Sequence, residues 1–200
     1  MVSRSWLFTI ITTATIVAFP CSCFKASRVS SSPLFCVPGK RPTGKENAAI
    51  IKRVLRRIRI AWPDTHIVLR GDSHFANAEL MALCEQNRRL DFLFCLAGNK
   101  ALTPKAEPLL AQARALHQEG IEAARHNGIL EPAATRLYDN IDYQAGFLPK
   151  AYRVVLKAEV MALGENPRFV VTSITDPCPQ ALYRDLYLLP VVRTRTSSRQ

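Results

Sequence analysis

His66-Ile67-Val68-Leu69-Arg70-Gly71-Asp72-Ser73-His74-Phe75 is the stretch on which the fold turns. A short apolar, β-branched run halts at a glycine and then presents a carboxylate, a pattern that predicts a buried strand closed by a turn. Gly71 lets the backbone turn or approach a neighbour closely. Asp72 then stands at the strand's C-terminal end, where open α/β sheets gather their chemistry. A carboxylate there can hold a hard divalent cation through oxygen. The same residue can instead cap a following helix, and by spacing alone the cap is the more ordinary reading.

Working outward, Trp62-Pro63-Asp64 ends a helix expected from about Glu46 to Ala61. Ile50, Ile51, Val54, Leu55 and Ile58 fall on one face of it. Lys52, Arg53, Arg56, Arg57 and Arg59 take the rest, a basic face that is either solvated or set against phosphates. On the other side, a helix is expected from about Asn77 to Asn87 and a strand from Asp91 to Leu96. Strand, helix and strand with short links form a βαβ unit, which implies a parallel pair. Residues from about Leu102 to Asp142 are less regular, apart from a helix over Pro104 to Gln118. Tyr152 to Val160 and Arg168 to Ile174 read as strands joined by Gly164-Glu165-Asn166-Pro167. A last helix begins at Pro179.

Bulk properties narrow the function. The 200 residues carry 27 Lys and Arg against 16 Asp and Glu, a net charge of +11. Such a surplus implies an anionic partner, nucleic acid or membrane, more readily than an acidic small molecule. The six cysteines show no Cys/His spacing of a zinc site, which fits a reducing compartment. Residues 1–37 differ in kind: Arg4 precedes an apolar stretch, Trp6 to Phe19, shaped like a secretory signal or an out-of-frame extension. Pro38-Gly39-Lys40-Arg41-Pro42-Thr43-Gly44 is a turn-rich joint after it.

Several of these segments, in this order, resemble DDE transposases of bacterial insertion sequences. They are Pro38 to Pro42, Trp62-Pro63-Asp64, Leu69 to Phe75, Tyr152 to Glu159, Gly164 to Ser173, and Leu182-Tyr183-Arg184-Asp185-Leu186-Tyr187. The resemblance implies an α/β fold: an incomplete ribonuclease-H-like core with a β-rich insertion. It divides the chain into the head 1–37, core 38–100, an insertion region 101–176 with its β-hairpin, the start of a final catalytic helix 177–187, and an atypical tail 188–200. It implies two Mg2+ ions held by Asp, Asp and Glu, clamping the attacking and leaving oxygens of phosphoryl transfer. Asp72 matches the second acid, as catalytic residue and metal ligand. Arg70, Arg53, Arg56 and Arg57 are the expected contacts to DNA, with His74 a structural hydrogen-bonding residue. DNA is the implied partner, a homodimer the implied state of an intact relative, and the cytoplasm, at the nucleoid, the implied location.

Two departures qualify that expectation. Residues 1–37 contain no Asp or Glu, so the first acid has no candidate upstream of the joint. Counting from Tyr187, the pattern of Tyr, two residues, Arg, three residues, Glu puts Pro190 and Thr194 at the Arg and Glu positions. Thr194 to Arg199 can be encoded so that a shifted frame reads Glu-Asn-Ile-Ile-Lys, and Pro190 to Arg193 so that it reads Arg-Gly-Gln-Asp. A chain with one of three acids would be an inactive transposase fragment. The alternatives are a non-catalytic nucleic-acid binder and a protein exported or tethered through residues 1–23. Nucleotide sequencing of the gene is expected to show the acid-bearing frame behind the tail; its absence there would remove the frameshift reading.

Overall fold

A computed structural model describes residues 8–12, 42–128, 133–176 and 178–187. The rest of the signal-like stretch, most of the turn-rich joint and the atypical tail, to which the frameshift expectation applies, lie outside the described residues. The elements in order are β1 (Phe8–Thr12), α1 (Gly44–Ala61), β2 (Ile67–Gly71), α2 (Ala78–Glu85) and β3 (Leu90–Leu96). A 3-10 turn, Thr103–Ala106, then leads into α3 (Glu107–His126), β4 (Thr135–Tyr143), β5 (Tyr152–Met161), β6 (Gly164–Glu165) and β7 (Arg168–Thr172). Last come α4 (Pro179–Ala181) and a wider, π-type segment, Leu182–Tyr187.

One mixed seven-stranded sheet organises the molecule, in the order β1-β2-β3-β7-β5-β4 with β6 paired to β5. β2 and β3 are parallel, as the βαβ reading requires, with Ile67 beside Leu90 and Gly71 beside Phe94. β7 runs antiparallel to both β3 and β5, so the hairpin strands continue the sheet that contains β2.

Local chemistry sets the helix limits. Thr43 and Glu46 form a reciprocal capping box, which starts α1 at Gly44, two residues before the expected Glu46. The Arg59 guanidinium donates to the carbonyls of Pro63, Thr65, Arg88 and Arg89, tying the end of α1 to the starts of β2 and β3. Arg59 thus belongs to the fold rather than to the solvent-facing basic stripe. α3 runs past its expected end at Gln118, because Ala113, His117 and Ala124 continue the buried side beyond the exposed Gly120.

Three strands have no sequence counterpart, and β6, the shortest, falls within the Gly164–Pro167 turn that joins β5 to β7. β4 carries Asp139-Asn140, which reads as a turn, yet this is an edge strand whose polar side chains stay in water. β1 falls in the head, where Ser and Thr break any clear alternation, and it pairs in parallel with β2.

The sheet buries its two faces differently. One packs Ile67, Leu69, Phe92, Phe94, Val154, Leu156 and Val171 against α1, α2 and α3. The other buries Val68, Leu93, Val155 and Val170 beneath Leu182 and Tyr183. Charged groups share this second face. Lys157 Nζ lies 2.6 Å from Glu159 Oε2, and Arg136 Nε lies 2.6 Å from Glu159 Oε1. Asn166 donates to Glu159 Oε2 at 2.9 Å. Lys157 and Glu159 are only 8% and 5% exposed. The lysine also stands over the Tyr183 ring, 5.6 Å from its centroid. Burial pushes the Glu159 carboxyl up, but hydrogen bonds from Lys157, Arg136 and Asn166 outweigh it and hold the group down at about 2.

This cluster makes a stability prediction. Glu159→Gln strands the buried Lys157 cation and is expected to cost roughly 3 kcal/mol or more at pH 7, read by urea unfolding. Because the folded carboxyl titrates below its ordinary 4.5, its contribution is complete above that pH and is lost as pH falls toward 2. The gap between wild type and Glu159→Gln should close over that window.

Candidate functional site

β2 delivers Asp72 to the sheet's C-terminal edge, one residue past Gly71. The carboxylate folds into the turn that follows: Asp72 Oδ1 accepts the His74 backbone N–H at 2.9 Å, and the Asp72 carbonyl accepts that of Phe75 at 3.1 Å. Asp72 does not cap α2. That place is taken by Asn77, whose side-chain oxygen accepts the Leu80 N–H at 2.9 Å. The turn needs a glycine at 71. A Cβ there would stand 2.9 Å from the Cβ, Cγ and Cδ2 of Phe75, whose ring is buried beside Phe94. Close approach, not a positive φ, is the reason.

Arg70 does not lie at the surface where a phosphate contact was expected. It is 7% exposed, on the second sheet face, and its Nη1 donates to the Leu186 carbonyl at 2.9 Å. Burial lowers its pKa, while Tyr187 acts in the opposite direction. A strand buried on both faces leaves a long cation only one course: to reach a strong acceptor under the layer that covers it.

Beside it, the Tyr187 side chain stands close enough to the Cys95 thiol for each to shift the other's titration. Burial pushes the Cys95 thiol up, and the nearby Asp72 charge adds to that push. Tyr183 and Tyr138 extend the aromatic row, with ring centroids 5.3 Å from Tyr183 to Tyr187 and 5.6 Å from Tyr183 to Tyr138. The structure therefore gathers Arg70, Asp72, Cys95 and Tyr187 around one strand end. Of these, the sequence reading singled out Arg70 and Asp72. The signal for Cys95 was strand alternation, which puts it on the same side as Leu93.

Arg53, Arg56 and Arg57 are elsewhere. They are exposed on α1, whose buried residues pack on the opposite sheet face with Ile67 and Leu69. With Lys52 they form a basic stripe, none of it paired with an acid among the described residues.

An α/β sheet with a carboxylate at the end of a parallel strand, carried by a strongly basic chain, has the form of an enzyme domain that acts on polyanions. Residues 19–189 match the family described as "Transposase DDE domain group 1", and the chain belongs to that family. Comparison with curated proteins and with solved structures finds no match. Membership makes DNA the partner implied for the chain. No helix among the described residues is long and apolar enough to cross a membrane.

Transposases of this family use divalent metal ions, and the site can be tested for that role. One oxygen of Asp72 already accepts a backbone N–H. Among the described residues, no group of three or more His, Cys, Asp or Glu stands where it could hold a metal ion. The described donors do not fit a two-ion centre, which requires several carboxylates to position two hard cations.

Gly71→Ala is expected to destabilise the fold by about 1–3 kcal/mol through overpacking against Phe75. Combining it with Phe75→Leu should recover part of that loss. Strict additivity of the two changes in urea unfolding would rule out the contact as the cause.

Proposed function

We propose that this chain is a transposase-family polypeptide that holds DNA and does not cut it unaided. The observation that carries this reading is that, among the described residues, Asp72 belongs to no group of three or more His, Cys, Asp or Glu that could hold a metal ion. In-line phosphoryl transfer by two metal ions needs both the attacking and the leaving oxygen stabilised, and one carboxylate does not supply that. Asp72 contributes a single acid to such chemistry, and the strand end orients it through the turn with His74.

DNA retention rests on different residues. Lys52, Arg53, Arg56 and Arg57 lie on consecutive turns of α1 and are exposed to solvent. Such a stripe meets phosphates without reading base edges, so it supports binding that is salt-dependent and indifferent to sequence. Arg70 has no part in it, because its guanidinium is committed beneath the Leu182–Tyr187 segment.

The test is fluorescence anisotropy on duplex DNA across 50–200 mM salt, with a magnesium-dependent nicking assay on the same preparation. Binding should weaken steeply with salt, and the triple variant Arg53→Ala/Arg56→Ala/Arg57→Ala should flatten the slope by about 2–3. No nicking is expected. Magnesium-dependent nicks that Asp72→Ala abolishes would overturn the non-cleaving reading, and an unchanged salt slope in the triple variant would overturn α1 as the DNA surface.

A further inference from the structure

We infer that Arg70 is a positioning residue, a buried clamp that fixes the Leu182–Tyr187 segment over the strand end that bears Asp72. Calling it positioning rests on the proposed reading of Asp72; the clamp itself rests on geometry alone. Arg70 lies two residues before Asp72 on the same strand, is 7% exposed, and donates from Nη1 to the Leu186 carbonyl at 2.9 Å. That carbonyl is among the last of the described helical segment. A buried guanidinium is a strong donor for a backbone carbonyl.

The surroundings show why the segment needs a clamp. It is short, and its apolar anchorage on this face is modest: Leu182 and Tyr183 are buried, while Leu186 and Tyr187 are only half-buried. At its first turn, Tyr183 rests on Lys157 and on the Tyr138 ring. At its far end Leu186 and Tyr187 pack against the buried cluster of this face, Tyr187 lies beside Tyr183, and Arg70 donates to the Leu186 carbonyl. Arg70 thus holds the end nearer to Asp72. With that bond gone, the far end is expected to open locally while the sheet and its helical layer stay closed.

Two readouts that do not depend on activity report this opening. One is hydrogen exchange at the amides of Leu182–Tyr187. The other is alkylation of Cys95, followed by peptide-resolved mass spectrometry, with Cys84 as an internal reference because it is buried under the other face of the sheet. In Arg70→Met, exchange at Leu182–Tyr187 and alkylation of Cys95 should each rise about tenfold or more, with Cys84 still protected. Arg70→Lys keeps a cation without the planar fork and should fall between wild type and Arg70→Met.

Should Arg70→Met unfold, which alkylation of Cys84 would show, the bond can be weakened from its other side. Replacing Tyr187 with its α-hydroxy acid analogue turns the Leu186 carbonyl into an ester, a poorer acceptor, and leaves Arg70 in place. Local opening in that protein, read at the amides of Leu182–Leu186 because residue 187 then has none, and at Cys95, supports the clamp when it matches the opening in Arg70→Met. Wild-type protection at both positions, in folded Arg70→Met or in the ester, overturns it. None of these outcomes depends on DNA cleavage, so the clamp and the reading of Asp72 fail separately.

Discussion

The burial of β2 on both of its faces is the constraint from which the rest of the structure follows. Ile67 and Leu69 lie against the helical layer, while Val68 and Arg70 lie under the Leu182–Tyr187 segment. A strand in that position must be paired along both edges, and β1 and β3 meet that need in parallel. It must also leave the sheet abruptly. Phe75 folds back against Gly71 within a few residues, and the Asp72 carboxylate steadies the turn by accepting the His74 N–H. The place of Asp72 is therefore a consequence of how β2 is packed and how it ends.

The one charge inside that strand has consequences of its own. A desolvated guanidinium is costly unless bonded, and Arg70 meets that need by donating to the Leu186 carbonyl of the helical segment over the sheet. The same face carries a buried ion pair of Lys157 and Glu159, joined by the exposed Arg136, and the lysine sits under the segment through Tyr183. The two sheet faces thus differ in kind. One is an apolar interface between sheet and helices. The other is a smaller interface held by aromatic rings and bonded charges around a thin apolar centre.

That division separates two properties that the basic composition had merged. The cations of α1 point away from the helical side of the sheet, and Arg70 is enclosed on the other. A DNA duplex lying on Arg53, Arg56 and Arg57 is not, by that contact, brought to Asp72. The exposed cations of α1 and the buried Arg70 lie on opposite faces of the sheet.

Periodicity within each segment was enough to locate α1, β2, β3, β5 and β7, because each buries an unbroken apolar face and ends at Gly, Pro or a capping residue. It missed β4, where an edge position lets Asp139 and Asn140 remain in water inside a strand, and β1, where Ser and Thr obscure the alternation. The Asp72 motif was also legible, since its meaning lies in neighbouring residues and in the order of motifs along the chain. The fate of the charges was not. Periodicity put Arg53 on a basic helix face, but the carbonyl that Arg70 meets comes from a distant element that no local pattern reveals. The sequence alone determined the family. Tertiary structure decided which cations can meet DNA and which must bond inside, because desolvation depends on what packs above a side chain, and that partner lies 116 residues away for Arg70.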